Sequence, residues 1–226
     1  MLRNEKSNIA IFDTFKTRND KFTGEARRQR GIIIHLAIEK SAELRTRTSI
    51  AHAIAKNNGI LWQNIYSGIF RDLDEVLIPS GVVIEEGRLP LRRGPKALQL
   101  EGVPFYELTE TGILVASSIE ELGDYRMKLL ESYISSLNVN TTEELIMKNG
   151  LILLLKVTPQ FASKIISEYV YAYSTGIIDT ATPIDITRMR PVIGDQILIE
   201  KELIEAYSII TNEQQELMRN FFKVMT

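Results

Sequence analysis

The chain has 226 residues with 44% hydrophobic and 25% charged content, enough to bury a sizeable core in one large or two small domains, two being the expectation. It contains no cysteine, which excludes a disulfide framework, a thiol nucleophile and zinc-finger ligation. The net charge of −2 is polarised: residues 1–116 carry 17 Lys+Arg against 14 Asp+Glu, net +3, and residues 117–226 carry 10 against 15, net −5. Such a division suits one half facing phosphates and the other facing solvent, a partner or its own copy.

The N-terminus is polar and mixed in charge, with only Ile9 to Phe12 apolar, unlike a secretory signal. The densest apolar run, Leu151 to Leu155, is far shorter than a membrane span. The expectation is a soluble, cytoplasmic protein without membrane contact. Residues 1–24 are expected to form an arm that docks through Phe12, Phe15 and Phe22.

From Glu25 a helix apolar on most sides begins, with Arg27, Arg28 and Arg30 in its first turns and His35 among isoleucines as a satisfied core or boundary residue. Thr46 or Thr48 can cap a short helix through Lys56, and Asn57-Asn58-Gly59 ends it with residues that tolerate a left-handed conformation. The stretch from Gly59 to about Leu77 reads as a third helix. At about 100° per residue, Leu61, Trp62, Ile65, Tyr66, Ile69, Phe70, Leu73 and Val76 share an arc centred near Ile69. Gln63, Asn64, Ser67, Gly68 and Arg71 lie opposite, and Asp72 is a misfit at the apolar edge. Two helices joined by a tight turn form a helix-turn-helix arrangement.

Pro79-Ser80-Gly81 breaks the third helix, and Val82-Val83-Ile84 begins a strand. A basic, turn-rich loop with Arg88, Arg92, Arg93 and Lys96 follows, then extended segments at Ala97 to Leu100 and Pro104 to Leu108. Arg93-Gly94-Pro95-Lys96 followed by Phe105-Tyr106-Glu107-Leu108-Thr109-Glu110-Thr111-Gly112 resembles the wing and closing turn of the PadR and MarR type of winged helix-turn-helix regulator. The resemblance spans about residues 28–116. It implies that Tyr106 and Leu108 pack the second wing strand on the core and that Thr109 caps the next helix. The strand segment is longer than a minimal wing, and Glu101 and Glu107 dilute its charge.

Residues 117–226 are acidic and helical. A helix is expected from Ser118 to Leu137 despite Gly123. A capping box at Thr141-Thr142-Glu143-Glu144 opens another, interrupted near Asn149-Gly150, and Thr158-Pro159 starts a third. An irregular stretch from Ile177 to Gly194 precedes helices from Asp195 and Thr211. Tyr169 and Tyr173 share a face and fit core packing better than an aromatic pocket. Glu200, Glu202 and Glu205 fit a solvated helix face. No phosphate-binding glycine loop and no metal-ligand spacing is present, so no catalytic residue, cofactor or metal is expected and the chain is not expected to be an enzyme.

The expected architecture is mainly α: an N-terminal winged helix-turn-helix with a small antiparallel β wing (25–116) and a C-terminal all-helical domain (117–226). The expected activity is sequence-specific binding of double-stranded DNA, as a transcriptional regulator and homodimer. Gln63, Asn64, Ser67 and Arg71 would approach bases and phosphates in the major groove. Arg88, Arg92, Arg93 and Lys96 would reach the flanking groove or backbone, and Arg45, Arg47 and Thr48 would contact phosphate. Residues 117–226 would supply a dimer seam or bind a protein partner or small-molecule effector. The competing expectation is a winged-helix protein–protein module or scaffold in a nucleoprotein assembly, without autonomous DNA binding.

Overall fold

The computed structural model describes residues 9–15, 21–59, 61, 63–90 and 102–225. They are mainly helical, with one antiparallel pair of strands. In chain order the elements are α1 (Gly24–Ile38), α2 (Arg47–Asn58), α3 (Gln63–Arg71), β1 (Val83–Leu89), β2 (Val103–Leu108), α4 (Glu110–Ser117), α5 (Asp124–Ser136), α6 (Thr142–Val157), α7 (Pro159–Ser174), α8 (Ile186–Ile209) and α9 (Asn212–Met225). The chain divides into two compact units, Met1–Ile186 and Thr187–Thr226. The expected junction at 116/117 thus lies inside the first unit, where α4 packs against both α1 and α5.

Within the first unit α1 is central, packing against α2, α3, α4 and β2. Thr23 starts it, its hydroxyl accepting the Ala26 N–H at 3.1 Å, and Ile32, Ile33 and Leu36 are buried. The N-terminal arm docks on this helix through Ile9, Ala10 and Ile11, all buried; Phe12 packs edge-on against Tyr171, whereas Phe15 is exposed. Two polar side chains of α1 hold the arm: Gln29 Oε1 accepts the Ala10 N–H at 2.7 Å, and Arg30 Nη1 donates to the Ile11 carbonyl at 3.0 Å. Arg30 also pairs with Glu121 through both guanidinium branches and stacks on Phe22. The basic cluster at the start of α1 therefore points largely inward, because unsatisfied backbone of the arm and a carboxylate await it there.

The strands pair from Val83↔Leu108 to Leu89↔Val103, with Glu86 as an extra residue in a bulge. Tyr106 is buried and Thr109 caps α4, its Oγ accepting the Gly112 N–H at 3.1 Å. Gly112 has a steric reason: a Cβ there would lie 2.1 Å from the Val82 carbonyl, so only glycine lets α4 approach the start of β1.

Three helix boundaries depart from expectation. Gly123, at φ +53° and ψ −136°, splits the expected helix from Ser118 into a short 3₁₀ turn, Glu120–Leu122, and α5; a backbone angle open to glycine makes the corner. The helix opened by the Thr141 capping box runs unbroken through Asn149-Gly150, since the cost of a helical glycine, about 1 kcal/mol, is spread over sixteen residues of α6. Its Lys148 donates to the Ser135 and Leu137 carbonyls at 2.8 and 2.7 Å, closing the end of α5. α8 begins at Ile186, nine residues before Asp195, and includes Pro191, which forgoes one N–H bond in a helix of 24 residues.

α5, α6 and α7 complete the first unit around Leu130, Ile134, Ile165, Ile166 and Tyr169. Tyr133 OH accepts the Ile184 N–H at 3.1 Å, and Tyr173 OH donates to the Ser80 carbonyl, so both hydroxyls tie helices to loops. In the second unit α8 meets α9 through Arg219 Nε donating to Tyr207 OH at 2.7 Å. α9 has no buried residue.

Gly112→Ala is expected to cost about 3 kcal/mol by forcing α4 off β1, whereas Gly150→Ala, with open space around its Cβ, should gain about 0.5–1 kcal/mol; urea midpoints at unchanged m read both. Glu121 titrates below its ordinary 4.5 because Arg30 hydrogen-bonds it. A depressed carboxylate contributes stability that is present above 4.5 and lost as pH falls through the folded value. The stability difference between wild type and Glu121→Gln should accordingly hold at neutral pH and shrink below pH 4.5 in pH-resolved urea denaturation.

Candidate nucleic-acid interface

α2 starts where Thr46 Oγ accepts the Ser49 N–H at 3.3 Å, and it ends at Gly59, whose left-handed backbone (φ +64°) turns the chain as the asparagine-glycine sequence predicts. α3 begins at Gln63 rather than Gly59. Leu61 consequently lies in the turn, 69% exposed, and not on the apolar arc; Ile60 and Trp62 lie outside the described residues. The arc otherwise forms: Ile69 and Leu73 are fully buried, Ile65, Tyr66, Phe70 and Val76 are half-buried, and Tyr66 packs edge-on against Phe70; Leu77, outside the expected arc, is fully buried as well. After Arg71 the helix widens into a π-turn, Asp72–Leu77, before β1.

On the opposite side Gln63, Asn64, Ser67 and Arg71 are all exposed, Arg71 at 54% of its side chain. They form one polar edge of α3, and each of the four side chains is exposed. What holds this edge outward is the residue that looked out of place. Asp72 is 0% exposed, and Arg28 of α1 reaches it with Nε at 2.7 Å and Nη2 at 3.3 Å. Burial pushes the Asp72 carboxyl up, with the Arg28 hydrogen bond opposing. Arg28 gets there across Gly68, where a Cβ would lie 2.7 Å from its Nε. The glycine on the polar face of α3 is thus a passage for an arginine of α1. Asp72 on an apolar face was the signal for this pair in the sequence, but its partner's identity needed the packing.

The other basic residues expected to meet phosphate are engaged internally. Arg45 pairs with Glu86 at 2.6 Å and Glu107 at 3.5 Å and lies over the Phe105 ring, binding the segment before α2 to both strands beside the Thr46↔Phe105 bridge. Arg47 pairs with Asp74 and stacks on Phe70, and Arg88 pairs with Glu85 at 2.7 Å. Thr48 is exposed at the first turn of α2. Arg92, Arg93 and Lys96 lie outside the described residues, as does the extended segment expected at Ala97 to Leu100. Around the polar edge, then, the described carboxylates Asp74, Glu85, Glu86 and Glu107 offset most of the arginines. His35 is a boundary residue whose Nε2 lies 2.8 Å from the Leu44 carbonyl.

Among the described residues no three His, Asp or Glu side chains converge as metal ligands, and no helix is long and apolar enough to cross a membrane. No family model, curated protein or solved structure matches the chain.

The exposed edge and the engaged arginines should separate on mutation. Alanine at Gln63, Asn64, Ser67 or Arg71 is expected to leave stability within about 0.5 kcal/mol, and alanine at Arg45, which strands Glu86 and Glu107 together, to cost about 1–3 kcal/mol; denaturant titration of the five variants checks the division.

Proposed function

We propose that the chain is a winged-helix protein that binds double-stranded DNA sequence-specifically and regulates transcription as a homodimer. The observation that carries this reading is the exposed edge Gln63, Asn64, Ser67 and Arg71 of α3, which follows α2 and a left-handed turn and precedes an antiparallel strand pair. An exposed helix edge with amide, hydroxyl and guanidinium groups in one row has the chemistry to meet base edges and phosphates. The strand pair encloses Arg92, Arg93 and Lys96 in sequence, cations suited to flanking phosphates. In this reading Thr48 joins the interface, while Arg45, Arg47 and Arg88 orient the elements that present it through their carboxylate partners. A homodimer would match a twofold pair of half-sites, and the exposed apolar side chains of α9, Leu217, Phe221 and Val224, offer surface for self-association.

A second reading, a winged-helix scaffold that meets protein instead of DNA, draws on the carboxylates Asp74, Glu85, Glu86 and Glu107, which leave the described face short of free positive charge. Fluorescence anisotropy with random-sequence duplex DNA at varied salt discriminates them. DNA binding predicts measurable affinity at low salt, a log K against log salt slope flattened by about 2.7 in the Arg92, Arg93 and Lys96 triple-alanine variant, and lost discrimination among sequences in Asn64→Ala and Arg71→Ala. Immeasurable affinity at low salt selects the scaffold.

A further inference from the structure

A cleft of about 420 Å³ runs between α1 and α2, away from the polar edge of α3. Its floor is aliphatic: Gly31, Ile34 and Ile38 come from α1, Ala53 and Ile54 from α2. Ile38 is 58% exposed there, a large apolar side chain in an open groove. The volume falls in the range of small-molecule sites, and the floor follows α1 from Arg27 to Ile38, about 16 Å at the helical rise.

The polar groups of the cleft determine the sign of its ligand. Arg30 is used up, bound to Glu121 and the Ile11 carbonyl and stacked on Phe22. Glu39 accepts the N–H groups of Lys40 and Ser41 at 2.9 and 3.0 Å, and His35 Nε2 is held at the Leu44 carbonyl. Two groups remain: Arg27 on α1 and Asn57 on α2 line the same cleft, and among the described residues neither side chain has a hydrogen bond or ion pair. One is a cation in the first turn of α1 and the other an amide able to donate in the last turn of α2, helices that approach each other at Gly31 and Ile54.

We propose that this cleft binds a medium-chain aliphatic carboxylate, with the carboxylate on Arg27 and Asn57 and the alkyl chain along Gly31, Ile34, Ile38 and Ile54. The charge-assisted pair fixes the head, and an aliphatic floor about 16 Å long suits a linear alkyl chain. Nothing in this assignment requires DNA binding, so the two fail or stand separately.

Isothermal titration of the full chain with decanoate tests it, with decyltrimethylammonium as the same chain bearing the opposite charge. Decanoate is expected to bind saturably in a single equivalent and the cation to bind far more weakly. Arg27→Ala should raise Kd about tenfold or more, the loss of a hydrogen bond to a charged group, and Ile38→Glu, which puts a carboxylate over the floor, should abolish binding. Both side chains are exposed, and circular dichroism confirms that the variants fold. No decanoate binding, equal binding of the cation, or decanoate binding unchanged in either folded variant overturns the assignment.

Discussion

The Arg28–Asp72 ion pair determines how α3 is presented. Asp72 sits at the junction where α3 passes into the π-turn, buried among apolar neighbours, and a carboxylate in that position is costly unless a cation meets it. Arg28 meets it from α1 by crossing Gly68. Taking the Asp72 carboxylate out of water offsets much of what its pairing with Arg28 gains; geometrically, the pair ties one face of α3 to α1. With Asp72 inward, Ile69 and Leu73 enter the core and Gln63, Asn64, Ser67 and Arg71 face out. Loss of either partner would strand a buried charge, at about 3 kcal/mol, and release the helix from its register.

Around this lock the arginines of the first unit divide by purpose. Arg30, Arg45 and Arg47 fasten the arm, the strand pair and the π-turn to the helices, each pairing with a carboxylate and each also lying over an aromatic ring. Planar, always charged guanidinium suits such half-buried seams. The positive excess of residues 1–116 therefore overstates what this half can offer to phosphate, and under the proposed DNA reading the burden passes to Arg71 and to the cations in the sequence between β1 and β2.

Legibility followed the range of the forces involved. Most local signals were sound: Thr46, Thr109, Thr141 and Thr211 accept hydrogen bonds from the first turns of their helices, and Gly59 takes the left-handed angle, since caps and turns are decided within a few residues; Thr158, expected to cap α7 as threonine before Pro159, makes no side-chain cap there. The polar edge of α3 was visible in periodicity alone. Glycine was the ambiguous letter: the same residue breaks a helix at Gly123, is carried through one at Gly150, and opens a passage at Gly68 and a close approach at Gly112.

By itself, then, the sequence determined the helical character of the chain, the caps and turns that delimit its first helices, and the side chains on the outer edge of α3, because each follows from residues at most a few turns apart. Only the tertiary structure decided which charges remain for a ligand. Arg28, Arg30, Arg45 and Arg47 are indistinguishable as letters from Arg27 and Arg71, but the first four find carboxylates brought to them from distant segments, whereas Arg71 meets only its chain neighbour Asp72, at 3.9 Å. A charge is free or spent according to what folding places beside it.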